Sequence, residues 1–112
     1  MAGTARKAYE ITTNEVRVVS VDMRGVLDDG ETLTGTPTVT APAGSGLVLT
    51  NKQVNSSTLV VNNVSCTAGQ AVQFKVDATG ATAADRYEVE VLCGTSAGQM
   101  VEGNVILRVV DS

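Results

Sequence analysis

The chain of 112 residues contains no histidine and no tryptophan, and only two tyrosines, one phenylalanine and two prolines. The missing histidine removes the commonest general base and the commonest metal ligand together. A Ser–His–Asp or Cys–His centre is therefore excluded. Two cysteines, Cys66 and Cys93, cannot fill a four-ligand zinc shell without other donors. No run approaches the roughly 18 apolar residues of a membrane helix. The N-terminal sequence MAGTARKAYE has no apolar core of the kind a secretory signal carries. The expectation is a protein made and kept, or assembled, in a cytoplasm. Positive charge is sparse too. Eight basic against twelve acidic residues leave a net charge of −4, and only Arg6-Lys7 cluster. Nucleic-acid binding needs a basic patch, so neither a nucleic-acid nor a membrane partner is expected.

Hydrophobic residues make up 43% of the chain, enough for a core. With 3% aromatics, that core must be built from Val, Leu, Ile and Ala. β-Branched residues are stiff at the first side-chain torsion and sit well on a pleated sheet. No long segment has a helical apolar period, and the pattern is all-β. The length fits one domain. Residues 1–12 read as a flexible arm and residues 13–112 as the folded domain.

The clearest alternation lies in the last third. Tyr87, Val89, Val91 and Cys93 share one strand face, and Glu88 and Glu90 the other. Val105, Leu107 and Val109 then alternate with Ile106 and Arg108, and a Gly-containing turn at 94–98 joins the two strands. Ala71–Asp77 is equally regular, with Val72, Phe74 and Val76 inward. Glu15–Arg24 is a strand whose parity shifts at Val18-Val19, the mark of a β-bulge or of burial on both faces. Leu27–Gly30 forms a turn. In Glu31–Thr40, Pro37 cannot donate to a ladder, which places that strand at an edge or makes it irregular. Ala41–Gly46 is a loop. Short strands follow at Leu47–Leu49 and Thr58–Val61, with a corner at Val64–Thr67. About seven strands at intervals of about 8–15 residues fit a two-sheet Greek-key sandwich of the immunoglobulin type, with a jelly roll or small barrel as competitor.

Groups that could carry chemistry read as structural. Asp28, Asp29 and Glu31 surround Gly30 but lack the spacing of a calcium loop. Glu88 and Glu90 would need a cleft to act as a glycosidase pair. Ala43–Gly46 lacks the Gly-Lys-Ser/Thr of a phosphate loop. Asn55-Ser56-Ser57 and Asn63-Val64-Ser65 match the glycosylation pattern accidentally when no secretion signal is present. The cysteines read as reduced, buried thiols, with a disulfide between neighbouring strands as the alternative. No catalytic, metal or cofactor-binding residue is assigned, and no enzyme is expected.

The pattern Tyr87-x-Val89-x-Val91, Gly94-Thr95-Ser96-Ala97-Gly98-Gln99, Glu102 and the closing Leu107-Arg108-Val109 resembles the C-terminus of small Ig-like bacteriophage virion proteins of the fibre–tail adaptor or capsid decoration type. Gln99 stands where that family usually has Arg. Val21–Thr40 is similar to the family in outline but lacks its common tryptophan. The resemblance implies a virion building block that attaches to the major capsid protein or connects head, tail and fibres. It also implies symmetry-related copies, as a trimer or ring. The alternative is a receptor- or carbohydrate-binding β-sandwich module, although such sites usually present aromatic platforms and only three aromatic residues are available here.

Overall fold

A computed structural model describes residues 3–4 and 9–111. The expected arm, residues 1–12, thus falls largely outside the described residues. Its last part does not behave as an arm. Tyr9–Thr12 is a strand, and Ile11 is fully buried in the core. The boundary drawn at residue 12 missed this strand because its partner is the far end of the chain.

The described residues are all-β, with ten strands and a single 3-10 turn at Arg24–Val26. In chain order the strands are β1 (Gly3–Thr4), β2 (Tyr9–Thr12), β3 (Val16–Asp22), β4 (Leu33–Thr40), β5 (Val48–Val54), β6 (Leu59–Val61), β7 (Val64–Cys66), β8 (Ala71–Asp77), β9 (Ala84–Thr95) and β10 (Met100–Val110). One sheet runs β1-β10-β9-β4, with β2 also on β10; a second runs β3-β8-β5; β6 and β7 form a separate hairpin. β1 and β2 lie parallel to β10, while the β3–β8, β5–β8, β4–β9 and β9–β10 pairs are antiparallel.

The inward residues of both large sheets meet in one cluster. β3 and β8 supply Val19, Val21, Val72, Phe74 and Val76, and β9 and β10 supply Val89, Val91, Cys93, Val105, Leu107 and Val109. Phe74 is the largest fully buried side chain. A smaller cluster of Val61, Cys66 and Ala71 lies under the β6–β7 hairpin. Cys66 and Cys93 therefore sit in different sheets and different clusters, and both are free, buried thiols. Burial pushes both thiols above their ordinary value.

Several strands depart from the expected pattern for local reasons. β3 keeps an unbroken register with β8, so there is no bulge at Val18-Val19. Nor is the strand buried on both faces. Val19 and Val21 point into the core, while Val16 and Val18 are 49% and 54% exposed on the outer face. β4 is an edge strand and is irregular at Pro37: from Thr34 to Thr38 it takes four steps while β9 takes two, from Gly94 to Leu92. β5 runs beyond Leu49 to Val54. Its one extra residue between Thr50 and Gln53 is absorbed by a bulge, with Asn51 at φ 53. The corner expected at Val64–Thr67 is a strand, because Asn62 and Asn63 at φ 50 and 66 form the two-residue turn that suits a tight hairpin. The β9–β10 turn is a three-residue loop, closed by Gly98 N–H to the Thr95 carbonyl at 3.0 Å, with Gly98 at φ 77.

Phe74 is the largest fully buried side chain, so its truncation leaves a cavity in a core otherwise lined by smaller side chains. Phe74→Ala is expected to cost about 3–5 kcal/mol, read from urea unfolding, while Glu90→Gln on the exposed face changes stability by less than about 0.5 kcal/mol.

Candidate functional site

The loops at one end of the molecule carry most of its buried polar chemistry. Glu31 is only 7% exposed, just before β4. One carboxylate oxygen accepts the Asp28 N–H at 2.9 Å, and the other accepts the Thr95 hydroxyl at 2.5 Å. Thr95 Oγ1 in turn accepts the N–H groups of Ala97 and Gln99 at 3.3 and 3.2 Å. Thr32 and Ser96 are joined twice, from Thr32 N–H to Ser96 Oγ at 3.0 Å and from Ser96 N–H to the Thr32 carbonyl at 2.8 Å. Gln99 Nε2 donates to Asp28 Oδ2 at 3.3 Å. The acidic turn and the β9–β10 turn are thus one structure, although Glu31 and Thr95 are 64 positions apart.

Next to it, the Asn55 side chain closes a second knot. Its Oδ1 accepts three successive N–H groups, from Gly69, Gln70 and Ala71, at 3.0 to 3.1 Å. Its Nδ2 donates to the carbonyls of Ser57, Cys66 and Thr67 at 2.9 to 3.2 Å. The Gly69 carbonyl then accepts the Leu33 N–H at 2.8 Å, linking this knot to the start of β4. Gly69 has φ +86, and a Cβ there would lie 2.8 Å from Thr32 Cβ, so only glycine lets the two loops meet.

These geometries fix what each expected residue can do. Asp28 and Glu31 meet the β9–β10 turn rather than converging on a cation, and among the described residues no group of three His, Cys, Asp or Glu is placed to hold a metal. Asn55 cannot present its amide for modification while that amide holds three carbonyls. Asn63 is exposed at the tip of the β6–β7 hairpin. Glu88 and Glu90 lie exposed along β9, opposite Ile106 and Asn104 of β10. The Ala41–Gly46 loop borders an open depression between β4 and β5, lined by Val39, Pro42, Ser45, Leu47 and Lys52 with no aromatic side chain. No helix of the described residues is long and apolar enough to cross a membrane.

The charges reinforce the loops. The Asp28 backbone N–H and then the Thr95 hydroxyl hold the Glu31 carboxyl below its ordinary value, against the effect of burial. Arg17 holds Glu15 down at 2.7 Å, and Thr79 does the same for Asp77. Arg108 reaches Glu10 at 3.3 Å and Asp85 at 3.6 Å, tying β2 to β10 and the start of β9. Such exposed pairs are worth about 0–1 kcal/mol each and position more than they stabilise. No family model, curated protein or solved structure matches the chain.

Asn55→Ala would remove the side-chain partner of the Ala71 N–H, while the Gly69 and Gln70 N–H groups keep the backbone carbonyls of Asn55 and Thr67 at 3.0 and 3.1 Å, and is expected to cost about 1–3 kcal/mol in chemical denaturation. Glu31 supplies a pH signature. Its folded value lies below the ordinary 4.5, so the unfolded chain binds this proton more readily. Its contribution is therefore complete above 4.5 and is lost as pH falls toward the depressed folded value. Urea midpoints followed from neutral pH into acid should fall less steeply for Glu31→Gln than for the wild-type chain.

Proposed function

We propose that this chain is a non-enzymatic structural component of a bacteriophage virion, built as an Ig-like Greek-key β-sandwich. In this reading it attaches to the capsid as a decoration protein, or connects head, tail and fibres as an adaptor. The fold reading is supported by the strand orders. With β3, β4, β5, β8, β9 and β10 taken as strands B, C, D, E, F and G, the sheets become B-E-D and C-F-G, the immunoglobulin arrangement. In this scheme β2 is an A-type strand that joins G in parallel, and β6–β7 is a hairpin inserted between D and E. A further support is Tyr87, near the start of β9, whose hydroxyl donates to the Thr82 carbonyl five residues upstream at 2.8 Å. That contact has the form of the tyrosine corner found in this architecture.

The observation that carries the functional reading is where the polar side chains point. Glu31, Thr95, Asn55 and Ser45 spend their hydrogen bonds on the protein's own loops. That arrangement makes stiff loop ends and a defined surface, which suits assembly by contact. The likeness of the β9–β10 hairpin to phage virion proteins then supplies the setting. Partners in this reading are the major capsid protein or the head–tail and fibre proteins, and the protein resides in the virion.

Quantitative mass spectrometry of purified particles tests the proposal. Hundreds of copies per particle are expected for decoration, and about six or twelve for an adaptor at a symmetric vertex. Absence of the chain from particles would overturn the reading.

A further inference from the structure

The three long edge strands of the two large sheets are not alike. β4 carries Gly35 at φ 72, Pro37 and a broken register. β5 carries the Asn51 bulge followed by Lys52. Proline, bulges and lysine are the usual devices that stop an edge from recruiting another chain. β3, the remaining edge of its sheet, has none of them. It runs seven residues, VRVVSVD, in unbroken register with β8, with no glycine or proline.

The hydrogen-bond parity of β3 is fixed at its ends. The Glu15 carbonyl accepts the Ala78 N–H at 3.0 Å, and the Met23 N–H donates to the Gln70 carbonyl at 2.9 Å. In an antiparallel ladder, bonding to one neighbour alternates along the strand. The odd positions therefore bond β8, and the N–H and C=O groups of Val16, Val18, Ser20 and Asp22 point away from it. No other described strand pairs with β3. The same alternation turns the Val16 and Val18 side chains to the outer face, where they are 49% and 54% exposed. β3 is thus a straight edge with apolar side chains beside its open backbone groups, its charges being Arg17 and, at its end, Asp22.

We propose that β3 is a self-association edge, which pairs antiparallel with β3 of a second copy about a two-fold axis. The occupant follows from the strand itself. Pairing centred on Val18 places Val18 opposite Val18 of the second copy and Val16 opposite its Ser20. The open N–H and carbonyl groups of Val16, Val18 and Ser20 then meet their counterparts in the second copy, Asp22 lies just beyond the paired stretch, and four half-exposed valines gather into one outer patch. Neighbouring registers are worse. A shift toward the N-terminus sets Arg17 against Arg17 of the second copy, and shifts the other way set Val16 or Val18 against Asp22. Like charges directly opposite one another destabilise a strand pair, and an aspartate opposite a valine forfeits the apolar contact. The two three-stranded sheets would become one six-stranded sheet. This inference stands whether or not the chain is a virion component.

A pairing over the five residues 16–20 buries less than the roughly 1,200–2,000 Å² of a standard interface, so the dimer is expected to be weak, half-formed between about 10 µM and 1 mM. Sedimentation velocity of the full chain across that range is the test. Val18→Lys, which adds a charge at the axis, should weaken association at least about tenfold, the equivalent of 1.4 kcal/mol. Val60→Lys, which alters a valine 62% exposed on the β6–β7 hairpin, should leave it unchanged. Far-UV circular dichroism checks that each variant folds. Val18→Cys gives a second readout that does not depend on that charge. Opposed residues in a hydrogen-bonded antiparallel pair lie about 5.5 Å apart at Cα, within disulfide reach. Mild oxidation should therefore give a covalent dimer with Val18→Cys and not with Val60→Cys. A wild-type chain that stays monomeric throughout, association insensitive to Val18→Lys, or equal cross-linking by both cysteine variants would overturn the proposal.

Discussion

The constraint on which the structure depends is a core with one phenylalanine and no tryptophan. Small side chains fill the space between the sheets. Val19, Val72, Val76, Val89 and Val91 are all fully buried around Phe74. Each buried valine contributes about 1.5–3 kcal/mol at most, and a thin valine layer tolerates little misregister, because one step turns the whole set to solvent. The sheets must therefore be held in register by something other than large interlocking rings.

The loop hydrogen bonds supply that restraint. Asn55 binds the turn before β8 from both directions, and its neighbour Gly69 passes the restraint to Leu33 at the head of β4. Glu31 and Thr32 then tie β4 to the β9–β10 turn. Tyr87 fastens the opposite corner, where the chain enters β9. These closures join the two sheets through the loops, which the strand ladders cannot do, because no ladder runs between the sheets. Buried polar networks of this kind rigidify a fold when every member is satisfied, and no buried side-chain N or O atom among the described residues lacks a partner.

The same division explains what could be read in the sequence. β8, β9 and most of β10 were legible because alternation and burial coincide there, at Val72, Phe74, Val76, Val89 and Val91. β2 was not legible: Tyr-Glu-Ile-Thr is short, and its partner Leu107–Val110 lies nearly the whole chain away. The far half of β5 was hidden by Asn51, because a bulge breaks the period that marks a strand. The residues of β6–β7 carry the pattern of a strand and a corner, although Asn62-Asn63 is a residue pair that accepts positive φ and marks a hairpin turn. Of the loop end, Asp28–Gly30 and residues 94–98 were each readable as turns. Their union through Glu31 and Thr95 was not, since no local pattern records a contact across 64 residues. The role of Asn55 was masked by its position in a run of polar residues that reads as loop.

The management of edges connects this architecture to association. A sheet that ends in open N–H and C=O groups needs protection or a partner. β4 and β5 flank the depression lined by Val39 and Leu47, and each is interrupted along its length, β4 between Thr34 and Thr38 and β5 between Thr50 and Gln53. Beside β10, β2 and β1 split the edge of the β10 sheet into two short pieces, and Arg108 holds β2 by its Glu10. Irregularity is therefore spread over every other edge, while β3 stays straight and keeps two valines in water. A strand under no demand but folding could replace Val16 and Val18 with polar residues at little cost, since neither reaches the core. Solvent-facing valines beside an uninterrupted ladder are what a strand needs in order to pair with an identical one.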